Sequence, residues 1–135
     1  MELTLFDKYD LTPLPPMPTG KRPNKVVNVK RVGVGLDFVY VGRQMGDRYR
    51  GHILANPYRL RKGSTRTERR SVILQYRDWL NRQLDIEVPA IRQAFNALPG
   101  KTLGCWCGDW DGQGEPGFDC HAVELIRMLR ERGLA

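Results

Sequence analysis

The sequence predicts an α/β domain, a small mixed or parallel sheet with helices packed on it, in the order β-β-α-α-β-α. Three observations carry this expectation. Short β-branched runs are interspersed with longer stretches of helical periodicity, rather than gathered apart from them. Glycine and proline punctuate the chain between those segments. The 135 residues, 41% hydrophobic and 27% charged, have the size and balance of one globular domain with a core.

Residues 1–24 contain Pro13, Pro15, Pro16, Pro18 and Pro23 and no periodicity, so an extended arm is expected there and a single globular domain over 25–135. Leu3, Leu5 and Phe6 are positioned to pin the arm to a neighbouring surface, and the arm is a candidate contact for a protein partner. The run Val26-Val27-Asn28-Val29 predicts the first strand, with Gly33 and Gly35 after it, and residues 37–41 predict the second. Residues 42–64 form a long basic loop carrying Arg43, Arg48, Arg50, His52, Asn56, Pro57, Arg59, Arg61 and Lys62. Loops of that length in a small domain are usually functional or mobile.

Thr65 and Glu68 have the spacing of a capping box, and the helix they open carries Val72, Ile73, Tyr76, Trp79, Leu80 and Leu84 on one stripe. A second helix is expected from Pro89, with Ile91, Phe95 and Leu98 inward, ending at Pro99-Gly100. Residues 102–107 predict the third strand, and 108–119 a glycine-rich loop. The last helix is expected from about Cys120 to Arg132, with Leu125, Ile126 and Leu129 buried and Gly133 as its stop.

No apolar run is long enough to cross a membrane, and the first ten residues, with Asp7, Lys8 and Asp10, lack a signal core. A cytoplasmic location without membrane contact is therefore expected. The net charge of +7 is uneven: residues 1–82 hold 17 Lys and Arg against 7 Asp and Glu, and residues 83–135 hold 5 against 8. That asymmetry favours an anionic partner, either nucleic acid or a phosphorylated small molecule, although a merely solvated surface gives the same count.

All three cysteines fall within the sixteen positions from Cys105 to Cys120. An odd, clustered set argues against a disulfide framework and towards metal or thiol chemistry. Cys105 and Cys107, two apart on a strand, project to one side. Cys120 and His121 open the next helix, so one strand-to-helix connection gathers all four groups. Two uses follow. Cys105, Cys107, Cys120 and His121 can hold zinc tetrahedrally, a set of three thiolates and an imidazole. Alternatively Cys120, at a helix N-terminus that favours a thiolate, is a reactive thiol with His121 or His52 as base. Small buried hydrophobes are the plain third reading. Trp106 alternates away from the cysteines and is expected in the core, whereas Trp110 is expected in the loop, either stacking on a base or ring or making a simple lid contact.

The stretches Val27-Asn28-Val29, Tyr40-Val41-Gly42-Arg43, Ala55-Asn56-Pro57-Tyr58, Tyr76-Arg77-Asp78-Trp79-Leu80, residues 98–107 and Cys120-His121 resemble the domain-of-unknown-function family numbered 4326. The resemblance spans residues 26–129 and implies a small α/β domain, of a kind common in phages and bacteria, with no settled activity. By position it points to Asn28, Tyr40, Gly42, Arg43, Asn56, Pro57, Trp79, Cys105, Trp106, Cys107, Cys120 and His121. Two departures stand out: twelve residues separate Cys107 from Cys120 where the family has few, and Ala122-Val123 follows the histidine in place of Gly-Asp.

Taken together, these readings lead to an expectation and an alternative. The domain binds a nucleotide, or a nucleotide moiety of nucleic acid, beside the Cys/His cluster, through Asn28, Tyr40, Arg43, Asn56 and Trp110. Whether Cys120 and His121 also act on it is left open. The alternative is a non-catalytic, zinc-stabilised module that grips nucleic acid or protein.

Overall fold

The computed structural model describes residues 14–16, 22–30, 37–45, 49–58 and 65–134. Within these, three strands and three helices follow one another as β1 (Lys25–Asn28), β2 (Val39–Tyr40), α1 (Arg66–Asp85), α2 (Pro89–Asn96), β3 (Thr102–Cys105) and α3 (His121–Glu131). The expected order therefore holds, and the sheet is parallel. Leu3, Leu5, Phe6, Gly33, Gly35, Arg48, Arg59, Arg61 and Lys62 lie outside the described residues.

The last strand is central. Its order is β1-β3-β2, with Val26 level with Leu103 and Val39 level with the same residue on the other side. A parallel neighbour on each side requires long crossovers, and α1 with α2 supply the one between β2 and β3. The outer edge of β1 is covered from within the chain. Val26 and Trp110 exchange both backbone hydrogen bonds, at 2.9 and 2.8 Å, and the Asn28 amide donates to Asp109 Oδ1 at 2.7 Å. The 108–119 loop thus masks an edge that would otherwise offer open donors and acceptors.

Each helix has a local cause. Thr65 Oγ1 accepts from the Glu68 amide at 3.1 Å, and Glu68 Oε1 accepts from the Thr65 amide, completing the capping box. The stripe then buries Ile73, Tyr76, Leu80 and Leu84, with Val72 and Trp79 half-buried at its margin. Pro89 opens α2, whose Ile91 and Phe95 face inward. At the end of α3, the Gly133 amide donates to Arg130 O with φ at +73°, the left-handed turn that glycine takes freely.

α3 lies between β3 and α1, so every residue from Ala122 to Leu129 is buried. Two of these are charged. Glu124 accepts from Arg77 Nη1 at 2.8 Å and from Arg127 Nε at 2.9 Å, which compensates for taking all three charges towards the core. The described part of the arm is joined to this body: Leu14 packs on the core and Pro15 O accepts from Arg130 at 3.3 Å. Asn24 is buried, its Nδ2 donating to Leu98 O and Lys101 O. Among the described residues, no helix is long and apolar enough to cross a membrane.

Candidate functional site

β3 ends at Cys105, two residues short of the expected Cys107, because β1 and β2 stop pairing with it there. Cys107 follows in the turn. Cys120 is the N-cap of α3, with extended φ of −157° and ψ of 146°. Its Sγ accepts from the Ala122 amide at 3.4 Å, the place usually taken by a hydroxyl or carboxylate oxygen. The three sulfurs lie within 4.8 Å of one another and can hold a metal ion.

Their environments differ. Cys105 and Cys120 belong to the core, 0% and 3% exposed, while Cys107 is exposed. The three thiols act on one another. Hydrogen bonds from Cys107 and then Cys120 pull the Cys105 thiol far below its ordinary range, whereas sharing with Cys105 pushes Cys107 and Cys120 upward. Three thiolates this close repel one another, which opposes full ionisation of the trio. A divalent cation removes that restraint, and with it all three sulfurs ionise.

Beside the trio lies a pocket of about 270 Å³. The carboxyl end of β2 supplies Tyr40, Gly42 and Arg43, and the turn after β3 supplies Trp106 and Cys107. The N-terminus of α3 supplies His121, and Val72 of α1 closes one wall. The basic loop contributes Met45, Asn56 and Tyr58.

Hydrogen bonds fix the wall. Tyr40 donates its hydroxyl to Arg43 O at 2.5 Å and accepts from Trp106 Nε1 at 2.8 Å. Tyr49 packs against both rings, with centroids at 4.7 Å from Tyr40 and 5.6 Å from Trp106. Gly42 makes this arrangement possible, because a Cβ there would overlap the Tyr40 ring and hydroxyl. Arg43 donates from Nε to Asn56 O at 2.9 Å and from Nη2 to Tyr58 O at 2.5 Å, so one edge of its guanidinium holds the loop. Asn56 Oδ1 accepts from the Tyr58 amide at 2.9 Å, a local turn that Pro57 suits.

The imidazoles are also oriented. His121 Nε2 lies 2.8 Å from Val41 O. A carbonyl only accepts, so Nε2 carries the proton and the neutral ring keeps its lone pair on Nδ1. Burial lowers the His121 pKa and outweighs that hydrogen bond, which favours the neutral ring. His52 Nδ1 accepts from the Leu54 amide at 3.0 Å, and burial lowers its pKa as well.

The structure brings together Tyr40, Arg43, Asn56, Cys107 and His121, with Cys105 and Cys120 behind them. It sets two other expected ligand-binding residues apart. Asn28 is buried in β1 and accepts from the Lys30 amide, and Trp110 is 6% exposed against Arg130, with Nε1 donating to Gln113 O. His121, expected as a fourth metal ligand, stands outside the sulfur trio and is bonded to Val41. Adjacent residues at a helix start diverge, so Cys120 turns inward while His121 turns to the pocket. Of the cysteines it is Cys107, rather than the buried Cys120, that reaches the pocket.

Trp106 corrects a further expectation. The early end of β3 breaks the strict alternation, and the indole lines the pocket instead of entering the core. Tyr58 and Val72 were not foreseen at the site. The neighbouring Asn56-Pro57 turn was a signal for Tyr58, and Val72 gave none, since a helical stripe does not say which of its margins borders a cavity.

Residues 20–131 match the model of the family described as Domain of unknown function (DUF4326). No curated protein and no solved structure matches the chain.

Proposed function

Because the chain belongs to the DUF4326 family, whose description carries no activity, we propose from its own geometry that it binds a nucleotide or a nucleotide moiety of nucleic acid, beside a zinc ion held by Cys105, Cys107 and Cys120. One observation carries this reading: the carboxyl ends of β2 and β3 and the N-terminus of α3 meet at one aromatic-lined pocket. Ligands of open parallel sheets bind outside the carboxyl ends of the strands, and helix N-termini favour anions. Trp106, Tyr40 and Tyr58 give the lining three aromatic rings against which a base can pack, and His121 adds a polar side chain. Arg69, whose charge acts on Cys107, adds positive potential near the trio. Sulfur ligands suit zinc well among common divalent ions.

The test is calorimetric titration of the zinc-loaded chain with nucleoside monophosphates and a short single-stranded oligonucleotide. Binding is expected, and Trp106→Ala should weaken it by about 1–3 kcal/mol, the range of one base–aromatic stack. No heat with any of these ligands at millimolar concentration would overturn the proposal.

The burial of Cys105 and Cys120 in the core favours a second reading, a zinc-stabilised module that grips nucleic acid by its basic surface alone. The two readings part on salt. Grip by charge falls steeply with ionic strength, whereas a mononucleotide seated in a pocket depends on it weakly.

A further inference from the structure

We infer that the metal site is open: an ion bound by Cys105, Cys107 and Cys120 keeps its fourth position for a donor atom of the molecule in the pocket. The inference deepens the proposed function and rests on it for the identity of that molecule. Three observations carry it.

The first is the ligand inventory. The sequence contains three cysteines and two histidines, and all five lie among the described residues. The sulfurs of the three cysteines converge, and no other such side chain among the described residues joins them. The second is that neither imidazole belongs to the cluster: His121, bonded through Nε2 to Val41 O, keeps its Nδ1 lone pair but stands outside the group of three sulfurs, and His52 Nδ1 accepts the Leu54 amide. The third is direction. Cys105 and Cys120 are buried, but Cys107 is exposed and lines the pocket, so the cavity borders the trio on the Cys107 side.

Chemistry then narrows the donor. Zinc bound by four protein groups is closed and structural, whereas zinc with three protein ligands takes water or a ligand atom in the fourth position. The same pocket is walled by Tyr40, Tyr58 and Trp106, which suit a flat heterocycle. A ring nitrogen of that heterocycle is a borderline donor compatible with zinc thiolate chemistry. The inference therefore assigns the fourth position to a heterocyclic nitrogen, with water taking it when the pocket is empty of ligand.

Cobalt(II) in place of zinc reads this directly, since its visible bands report the ligand set. The full chain is loaded with cobalt(II), and imidazole is added as the probe nitrogen donor. Sulfur-to-cobalt charge transfer is expected, with d–d bands that shift as imidazole is titrated; before imidazole is added, the bands of H121A match those of the wild type. Cys107→Ser should weaken cobalt binding by more than the roughly 10–100-fold typical of changes beyond the direct ligands. Circular dichroism of that variant checks that it folds.

Bands insensitive to imidazole but altered in H121A would mean a closed site with His121 as fourth ligand, and would overturn the inference. Absence of charge transfer would overturn it too. Nucleotide binding measured by calorimetry on the same preparation is scored separately, so either the open site or the nucleotide reading can fail without the other.

Discussion

At the residue scale, function turns on which side chains are committed to holding the wall and which face the cavity. Arg43 was legible as an important cation, but its work was not. Its partners are the carbonyls of Asn56 and Tyr58, and backbone atoms leave no mark in a sequence. Tyr40 is the keystone of the same wall, joined to Arg43 O and Trp106 Nε1 through one hydroxyl. Tyr40→Phe removes both bonds and should cost about 1 kcal/mol for each group left unpaired.

Gly42→Ala tests the same wall from below. The new Cβ would collide with the Tyr40 ring, which is not the flexible end of a long chain, so the ring must leave its place. Overpacking of this kind costs about 1–3 kcal/mol, and nucleotide affinity should fall with it. Trp106 fluorescence gives an independent readout, because its indole N–H loses its acceptor. Unchanged fluorescence and affinity in Gly42→Ala would mean that Tyr40 does not shape the pocket.

The two tryptophans show where residue-level reasoning from sequence stops. Their roles in the expectation depended on how far β3 continued past Cys105. Pairing partners determine that length, and those partners, β1 and β2, lie more than sixty residues upstream. A strand ending two residues early moved Trp106 to the pocket, and the bridge to Val26 fixed Trp110 against β1.

At the scale of the elements, the helices were the legible part. A capping box, a proline at a first turn and a glycine past a last turn are local instructions, and α1, α2 and α3 follow them. Removing the first instruction has a defined cost: Thr65→Ala should destabilise the chain by about 1 kcal/mol without touching the pocket. Chemical denaturation checks the first part and calorimetric nucleotide affinity the second. A drop in affinity without a drop in stability would contradict the separation of α1's start from the site.

The α1–α3 contact is more demanding. Glu124 is 1% exposed and accepts from both Arg77 and Arg127, Arg77 also pairing with Glu131. Glu124→Gln leaves two guanidinium groups without their shared anion, and breaking a buried ion pair costs about 3–5 kcal/mol. Because α3 carries both Cys120 and His121 at its start, the loss should loosen the site as well as the core. Denaturant midpoints for wild type and variant measure it. A midpoint unchanged within error would show that the buried pair is not held together in solution.

At the scale of the whole molecule, the strand order was the least legible feature. The sequence announced a sheet but not that its last strand runs through the middle, because that placement depends on contacts between distant segments. It is also the feature that creates the site. With β3 central, the cysteines at its end sit between the carboxyl end of β2 and the start of α3, and the trio closes around a seam of the fold. An ion held there would couple metal to fold: it would tie the end of β3 to the cap of α3, and two of the three sulfurs are part of the hydrophobic core.

Removing the ion should therefore destabilise the molecule as a unit. A metal present at one hundred times its dissociation constant contributes about 2.7 kcal/mol, and for a chain of this length that corresponds to a melting-temperature change on the order of 10 °C. Melting followed by circular dichroism, with and without a chelator, measures this, and elemental analysis of protein purified without a metal-affinity step fixes the stoichiometry. One ion per chain and a chelator-induced drop of that size are expected. The drop should vanish in Cys105→Ser, which starts from the lower melting point because it lacks a core ligand. If wild type contains no metal and melts identically in chelator, the trio is a thiol cluster at the edge of the core, with Cys107 exposed, and any nucleotide binding must be carried by the aromatic wall alone.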